Sequence, residues 1–233
     1  MVTGNGMIAN KFASYNNDDR FLVFASGVSN SKNKLQNEYE REINLLKKCI
    51  VNNKEKRLIY FSTCSIYDIS EQNSPYVIHK LNVEKIIQEQ AAHYLIVRAS
   101  NVVGKSQNQN TVLNFFYHHI KEKRNFDVWK NASRNVIDID DLFLITDYIL
   151  RHDLYQNETV NVASKKAWNV LEIINEIENS IHIQATYSIV EKGNHIEIDT
   201  TKIDKIVEKL NINFGSNYLK KIIQKYYSDC ELS

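Results

Sequence analysis

The sequence predicts an α/β protein: a doubly wound parallel sheet followed by a small C-terminal α+β lobe. Three observations carry this. Short, continuous apolar runs alternate with helical patterns between residues 21 and 122. Those runs lack inside–outside alternation, as expected of strands covered by helices on both faces. Behind residue 150 the order changes to short strands mixed with amphipathic helices.

Taken in order, "VTGNGMIANKF" is a short apolar stub, a glycine turn and a helical run. "FLVFAS" (21–26) is a buried strand ending in small residues. "NEYEREINLLKKCI" (37–50) carries Ile43, Leu46 and Ile50 at helical spacing among charges. "RLIYFST" (57–63) is the next buried strand. Ser74 and Pro75 then open a helix reaching about Ala92: serine caps the first turn, and proline suits a position whose N–H needs no partner. "YLIVRAS" (94–100) is a strand and "TVLNFFYHHIKE" (111–122) a helix. In the tail, "ETVNVAS" and "HIEIDT" read as strands, "VLEIINEIEN" and "YLKKIIQKYY" as helices.

The 233 residues suit one domain, or one domain with a small lobe. A formal net charge of +1 leaves no footprint for nucleic acid. No apolar run approaches the ~18 residues of a membrane span, and no leader pattern opens the chain, so a cytoplasmic protein is expected. Cys49, Cys64 and Cys230 are scattered and odd in number, fitting free thiols in a reducing compartment. No CxxC, HExxH or clustered Cys/His spacing points to a metal.

Two local patterns carry chemistry. Gly4-x-Gly6-x-x-Ala9 has the spacing that lets backbone amides approach a pyrophosphate, although a tight strand-to-helix turn needs glycine anyway. An acid expected ~20 residues on, behind a second strand, is missing. The chain runs directly into "FLVFAS", and Asp18 and Asp19 read as loop residues, so at least one early βα unit is absent. The second pattern is Tyr76 and Lys80, one helical turn apart behind the Ser74–Pro75 start. A phenol donates a proton near neutral pH, and an adjacent ammonium eases its release. Such pairs are also common on helices with no chemical role.

The surroundings of that pair are what resemble a known family, the extended short-chain dehydrogenases/reductases that act as sugar-nucleotide epimerases, dehydratases and ketoreductases. "VTGNGMIA" is similar to their glycine turn, one residue short. "FLVFASGVS" and "YFSTCSIYD" resemble two family strands, and "YVIHK" matches YxxxK. "VRASNVVG", "SRNVIDIDDL" and "VNVAS" resemble the segments that follow. The matches are collinear over nearly the whole chain.

The resemblance implies a Rossmann-like cofactor domain in 1–105, rejoined by 135–165, and a substrate lobe in 106–134 and 166–233. It implies NAD or NADP as cofactor and a nucleotide sugar as substrate. Thr63, Tyr76 and Lys80 would be catalytic: Thr63 bonded to the substrate oxygen, Tyr76 the acid/base, and Lys80 on the nicotinamide ribose, lowering the phenol pKa. Gly4, Asn5, Gly6, Met7 and Ile8 would cradle the pyrophosphate, and Ala25, Ser26 and Gly27 would line the cofactor. Asn101 and Arg134 would meet the substrate's phosphates; without the surrounding block, Arg134 reads as a surface partner of the "DIDD" acids.

The family's dehydratases carry Asp and Glu directly after the catalytic Thr. Here Cys64 and Ser65 stand there as substrate-side residues, which disfavours water elimination. Cys64 is either a thiol acid or a small buried residue. What remains is hydride transfer, as a 4-keto-hexose reductase or alternatively an epimerase. A non-catalytic nucleotide-binding or regulatory relative is the reading from another class. Pairing through the two helices at 37–50 and 75–92 would give a homodimer.

Overall fold

The computed structural model describes residues 1–28, 35–106 and 108–228; Cys230 lies outside them. In chain order come β1 (Val2–Thr3), α1 (Met7–Lys11), β2 (Phe21–Phe24), α2 (Gln36–Asn52), β3 (Arg57–Thr63), α3 (Pro75–Gln90) and β4 (Tyr94–Ala99). Then follow β5 (Asn101–Val103), α4 (Val112–Lys121), β6 (Phe126–Trp129), β7 (Ser133–Arg134), β8 (Val136–Asp138), α5 (Ile139–Arg151) and β9 (Glu158–Val162). The tail holds β10 (Trp168–Asn169), α6 (Val170–Ile181), β11 (Tyr187–Val190), α7 (Asp204–Lys209) and α8 (Tyr218–Tyr227).

A five-stranded parallel sheet in the order β1-β2-β3-β4-β9 forms the centre. Every residue of β2 and β3 is buried, which explains their unbroken apolar character. Alternate residues serve opposite layers. Leu22, Phe24, Leu58, Tyr60 and Ile96 pack with Leu46, Cys49 and Ile50 of α2 and Val83, Ile86 and Ile87 of α3. Val23, Ile59, Phe61, Leu95 and Val97 face the larger core, which runs through α5 into the C-terminal lobe. The sheet is thus wound on both faces, as expected.

β1 is an edge strand. Its outward N–H, on Val2, is taken by the side-chain oxygen of Asn16 at 3.1 Å. The Met1 ammonium donates to the carbonyls of Tyr15 (2.7 Å) and Phe21 (3.0 Å). A short 3₁₀ turn, Ala13–Asn17, therefore closes the side on which a further strand would pair.

Outside the central sheet, β5 pairs with β8, β6 with β11, and β7 with β10. The expected strand "HIEIDT" is corrected. Residues 195–200 have no ladder partner, and the parallel partner of β6 is Tyr187–Val190. Within "HIEIDT" only Ile196 is fully buried, alternating with exposed neighbours. Its N–H goes to the Ser133 hydroxyl (3.0 Å) instead of a strand. Period-two burial reports faces, not pairing. Among the described residues no helix is long and apolar enough to cross a membrane, and no group of three or more His, Cys, Asp or Glu could hold a metal.

Candidate active site

Because the central strands are parallel, the segments following β1, β2, β3 and β4 meet at one end of the sheet. The glycine turn after β1 presses against the segment after β2. Gly4 has φ +129°, and a Cβ there would stand 2.4 Å from the Ala25 carbonyl oxygen. Only glycine meets both conditions. Gly6 faces open space, and Gly4, Asn5 and Gly6 are exposed. The helical run expected behind them is short: α1 has five residues before the 3₁₀ turn. Met7 and Ile8 are half-buried, and the Met7 sulfur lies 2.7 Å from where a Gly104 side chain would begin. The glycine turn and the "VRASNVVG" segment are therefore neighbours.

Thr63 ends β3 and caps the 3₁₀ turn Cys64–Tyr67. Its Oγ1 accepts the Ser65 N–H and donates to Ser65 Oγ, both at 3.0 Å. Cys64 is buried and its thiol donates to the Arg98 carbonyl (3.1 Å). Burial pushes the thiol far above its ordinary range, the nearby Glu84 adds to this, and Arg98 offsets it only in part. Cys64 is thus a buried thiol whose hydrogen goes to the backbone of β4.

The start of α3 forms as its local chemistry requires. Ser74 Oγ accepts the Val77 N–H (3.2 Å), with Pro75 in the first turn. Glu84 of α3 takes a forked pair of bonds from Arg98 of β4 (3.0 and 2.6 Å) and one from the Ser62 hydroxyl, which latches the helix to the sheet. Tyr76 and Lys80 both face inward, 8% and 2% exposed. The Lys80 Nζ lies 5.9 Å from the Tyr76 ring centroid. The Tyr76 hydroxyl makes no hydrogen bond among the described residues.

The seat of Lys80 holds groups that the sequence reading missed. Its ammonium donates to Glu42 Oε1 (3.2 Å) and to the Tyr60 hydroxyl (2.9 Å). Glu42 is fully buried on α2 and also accepts from the Val28 N–H (2.7 Å), from Tyr60 (2.7 Å) and from His79 Nε2 (2.9 Å). Burial alone would raise its carboxyl; the Lys80 charge and these hydrogen bonds outweigh burial and bring it to about 2. Tyr60 moves the other way, pushed up by burial and by the Glu42 charge. Gly27 roofs the pair: a Cβ there would stand 2.7 Å from Lys80 Nζ and 2.9 Å from Glu42 Oε1. A signal for Glu42 existed. With Tyr39, Leu46, Cys49 and Ile50 it falls on the buried stripe of α2. Arg41, exposed on the same helix, approaches the Ser26 carbonyl at 3.5 Å and was also overlooked.

At the start of β5, Asn101 Nδ2 donates to the Asn135 carbonyl (2.7 Å). Arg134 donates to the Ser133 carbonyl (2.9 Å) and stands 3.7 Å from Asp68, in the loop behind Thr63. It is not the partner of the "DIDD" acids. Lys225 reaches Asp138 and Asp140, Lys11 reaches Asp140, and Tyr218 donates to Asp141. Arg134 thus leans toward the loop behind β3.

The model of the family described as "NAD dependent epimerase/dehydratase family" matches residues 22–163, more than half of the chain, and begins at β2. No curated protein sequence matches the chain. Among solved structures, RMD from Pseudomonas aeruginosa complexed with NADPH superposes with a TM-score of 0.74 at 13% identity, covering 95% of this chain and 96% of that one. UDP-glucuronic acid 4-epimerase from Bacillus cereus in complex with NAD gives 0.67 at 18% identity, with 92% and 76% covered. UDP-N-acetylglucosamine 4-epimerase from Methanobrevibacter ruminantium in complex with UDP-N-acetylmuramic acid gives 0.67 at 17%, with 88% and 74% covered. At these identities the likeness establishes the fold, a parallel-sheet architecture shared with nucleotide-sugar enzymes.

Proposed function

Since this chain belongs to the NAD dependent epimerase/dehydratase family, we propose that it moves hydride between NAD or NADP and a nucleotide-activated sugar, reducing a 4-keto-hexose nucleotide. The observation that carries the reading is the seat of Lys80: a buried ammonium beneath Gly27, beside the Tyr76 ring, at the strand end where the glycine turn lies. An ammonium has three N–H donors. Two go to Glu42 and Tyr60, and the third is available to a ribose hydroxyl. The close approach of backbone at Gly4 and the open space over Gly6 suit a phosphate held by main-chain amides. These residues fit the nicotinamide ribose and its phosphate.

When bound, the nicotinamide supplies the hydride. The chain's own task is the proton. The unengaged Tyr76 hydroxyl gives its proton to the carbonyl oxygen, and the Lys80 charge beside the ring stabilises the phenolate left behind. Thr63 turns its hydroxyl from Ser65 to the same oxygen. Arg134, from the lobe, and Asn101, behind β4, approach the diphosphate. Neither Cys64 nor Ser65 supplies the carboxylate that water elimination would need. An enzyme of this kind belongs in the cytoplasm. Incubation with NADPH and a nucleotide 4-keto-hexose tests the reading: NADPH consumption with formation of the 4-hydroxy sugar is expected. Tightly held NAD, with 4-hydroxy sugar nucleotides interconverted and no net redox change, would make it an epimerase instead.

One observation favours a non-catalytic, nucleotide-binding role as the second reading: Glu42 neutralises Lys80 inside its seat. That role predicts NAD(P) binding with no turnover of any keto or hydroxy sugar nucleotide.

A further inference from the structure

We infer that the site holds a nicotinamide nucleotide by its nicotinamide ribose and the adjoining phosphate alone and leaves the adenosine in solvent; this rests on the cofactor reading above. In doubly wound sheets the adenosine ribose lies against the strand outside β1, whose final acid takes the ribose hydroxyls. Here, among the described residues, no strand lies outside β1. The place is filled: Asn16 takes the outward Val2 N–H, and the turn carrying it is tied to the Met1 ammonium through Tyr15. The two acids between α1 and β2 are at the wrong end. Asp18 and Asp19 stand before β2, whereas Gly4–Gly6 follow its parallel neighbour β1, so a strand length of ~13 Å separates them. Both acids are engaged there, Asp18 with Arg20 and Asp19 with Lys56.

The opposite half of the site is tightly built. A Cβ at Gly4 would meet the Ala25 backbone, one at Gly27 would press on Lys80 Nζ and Glu42 Oε1, and Tyr76 and Lys80 are buried. Binding contacts are therefore concentrated at the nicotinamide end. Two consequences follow: a 2′-phosphate is not read, and removing the adenosine monophosphate half removes little affinity.

Isothermal titration of the full chain with NADH, NADPH and reduced nicotinamide mononucleotide, each alone, tests this. The expected dissociation constants agree within about threefold, and AMP or 2′,5′-ADP does not displace NADH. Binding of NADH with the mononucleotide weaker by thirtyfold or more would overturn the inference and leave the cofactor reading standing. So would a tenfold preference for NADPH that Arg41→Ala abolishes, since it would assign the 2′-phosphate to Arg41. Failure of all three to bind would overturn the cofactor reading itself, and this inference with it.

Discussion

Replacing Glu42 by glutamine keeps the shape of the side chain and removes the charge that Lys80, His79, Tyr60 and the Val28 N–H converge on. The variant leaves the Lys80 ammonium buried without a counter-ion and turns an amide N–H toward a donor. Breaking a buried pair from one side costs about 3–5 kcal/mol. A second estimate comes from the carboxyl itself, which falls from 4.5 to about 2 on folding, a difference worth about 3 kcal/mol. The two agree in size. Because the folded value is the lower one, the stabilisation is fully present above pH 4.5 and is lost as pH falls from there toward 2. Urea unfolding of parent and variant at pH 7, 5 and 3.5 is the assay. The variant should be less stable by about 3 kcal/mol at pH 7, with the gap narrowing below pH 4.5. A loss under about 1 kcal/mol at pH 7, or a gap unchanged by acid, would refute the reasoning, because either would mean that the charge is not what holds this seat together.

Other consequences are as specific. Gly4→Ala forces an L side chain to φ +129° and into the Ala25 carbonyl, so thermal melting should show a loss of at least about 1–3 kcal/mol. Gly6→Ala, with nothing within 4 Å of its Cβ, should melt like the parent. Cys64 should resist alkylation in the native protein at pH 8 and react only on denaturation, as followed by mass spectrometry, since its thiol is buried and pushed up. α3 leaves Ile78 and Leu81 exposed at 55% and 41%, and light scattering should give twice the chain mass if that face pairs two copies. A monomer mass at micromolar concentration would count against the pairing.

The legible parts of this fold are those set by local chemistry or by two-sided burial. Arg57–Thr63 read as a strand because all of its residues are covered, and α3 read from Ser74 and Pro75 because capping involves neighbours in sequence. The glycine turn was legible as a turn, and the missing strand as a missing acid. What could not be read depends on elements brought together by the fold. The position of Glu42 on the apolar stripe of α2 was a signal, but its partners His79 and Lys80 lie on α3, and only the fold brings them to it. Arg134 meets Asp68 instead of the acids a few residues away because the lobe packs against the loop behind β3. "HIEIDT" carries a strand's burial pattern, and the position beside β6 is taken by Tyr187–Val190.

The central claim concerns one hydroxyl. Stopped-flow oxidation of NADPH by a nucleotide 4-keto-hexose should proceed with the parent protein. Tyr76→Phe should bind NADPH with unchanged affinity and lose at least about a hundredfold in the rate of hydride transfer. A Tyr76→Phe protein that reduces the sugar at the parent rate would contradict the account.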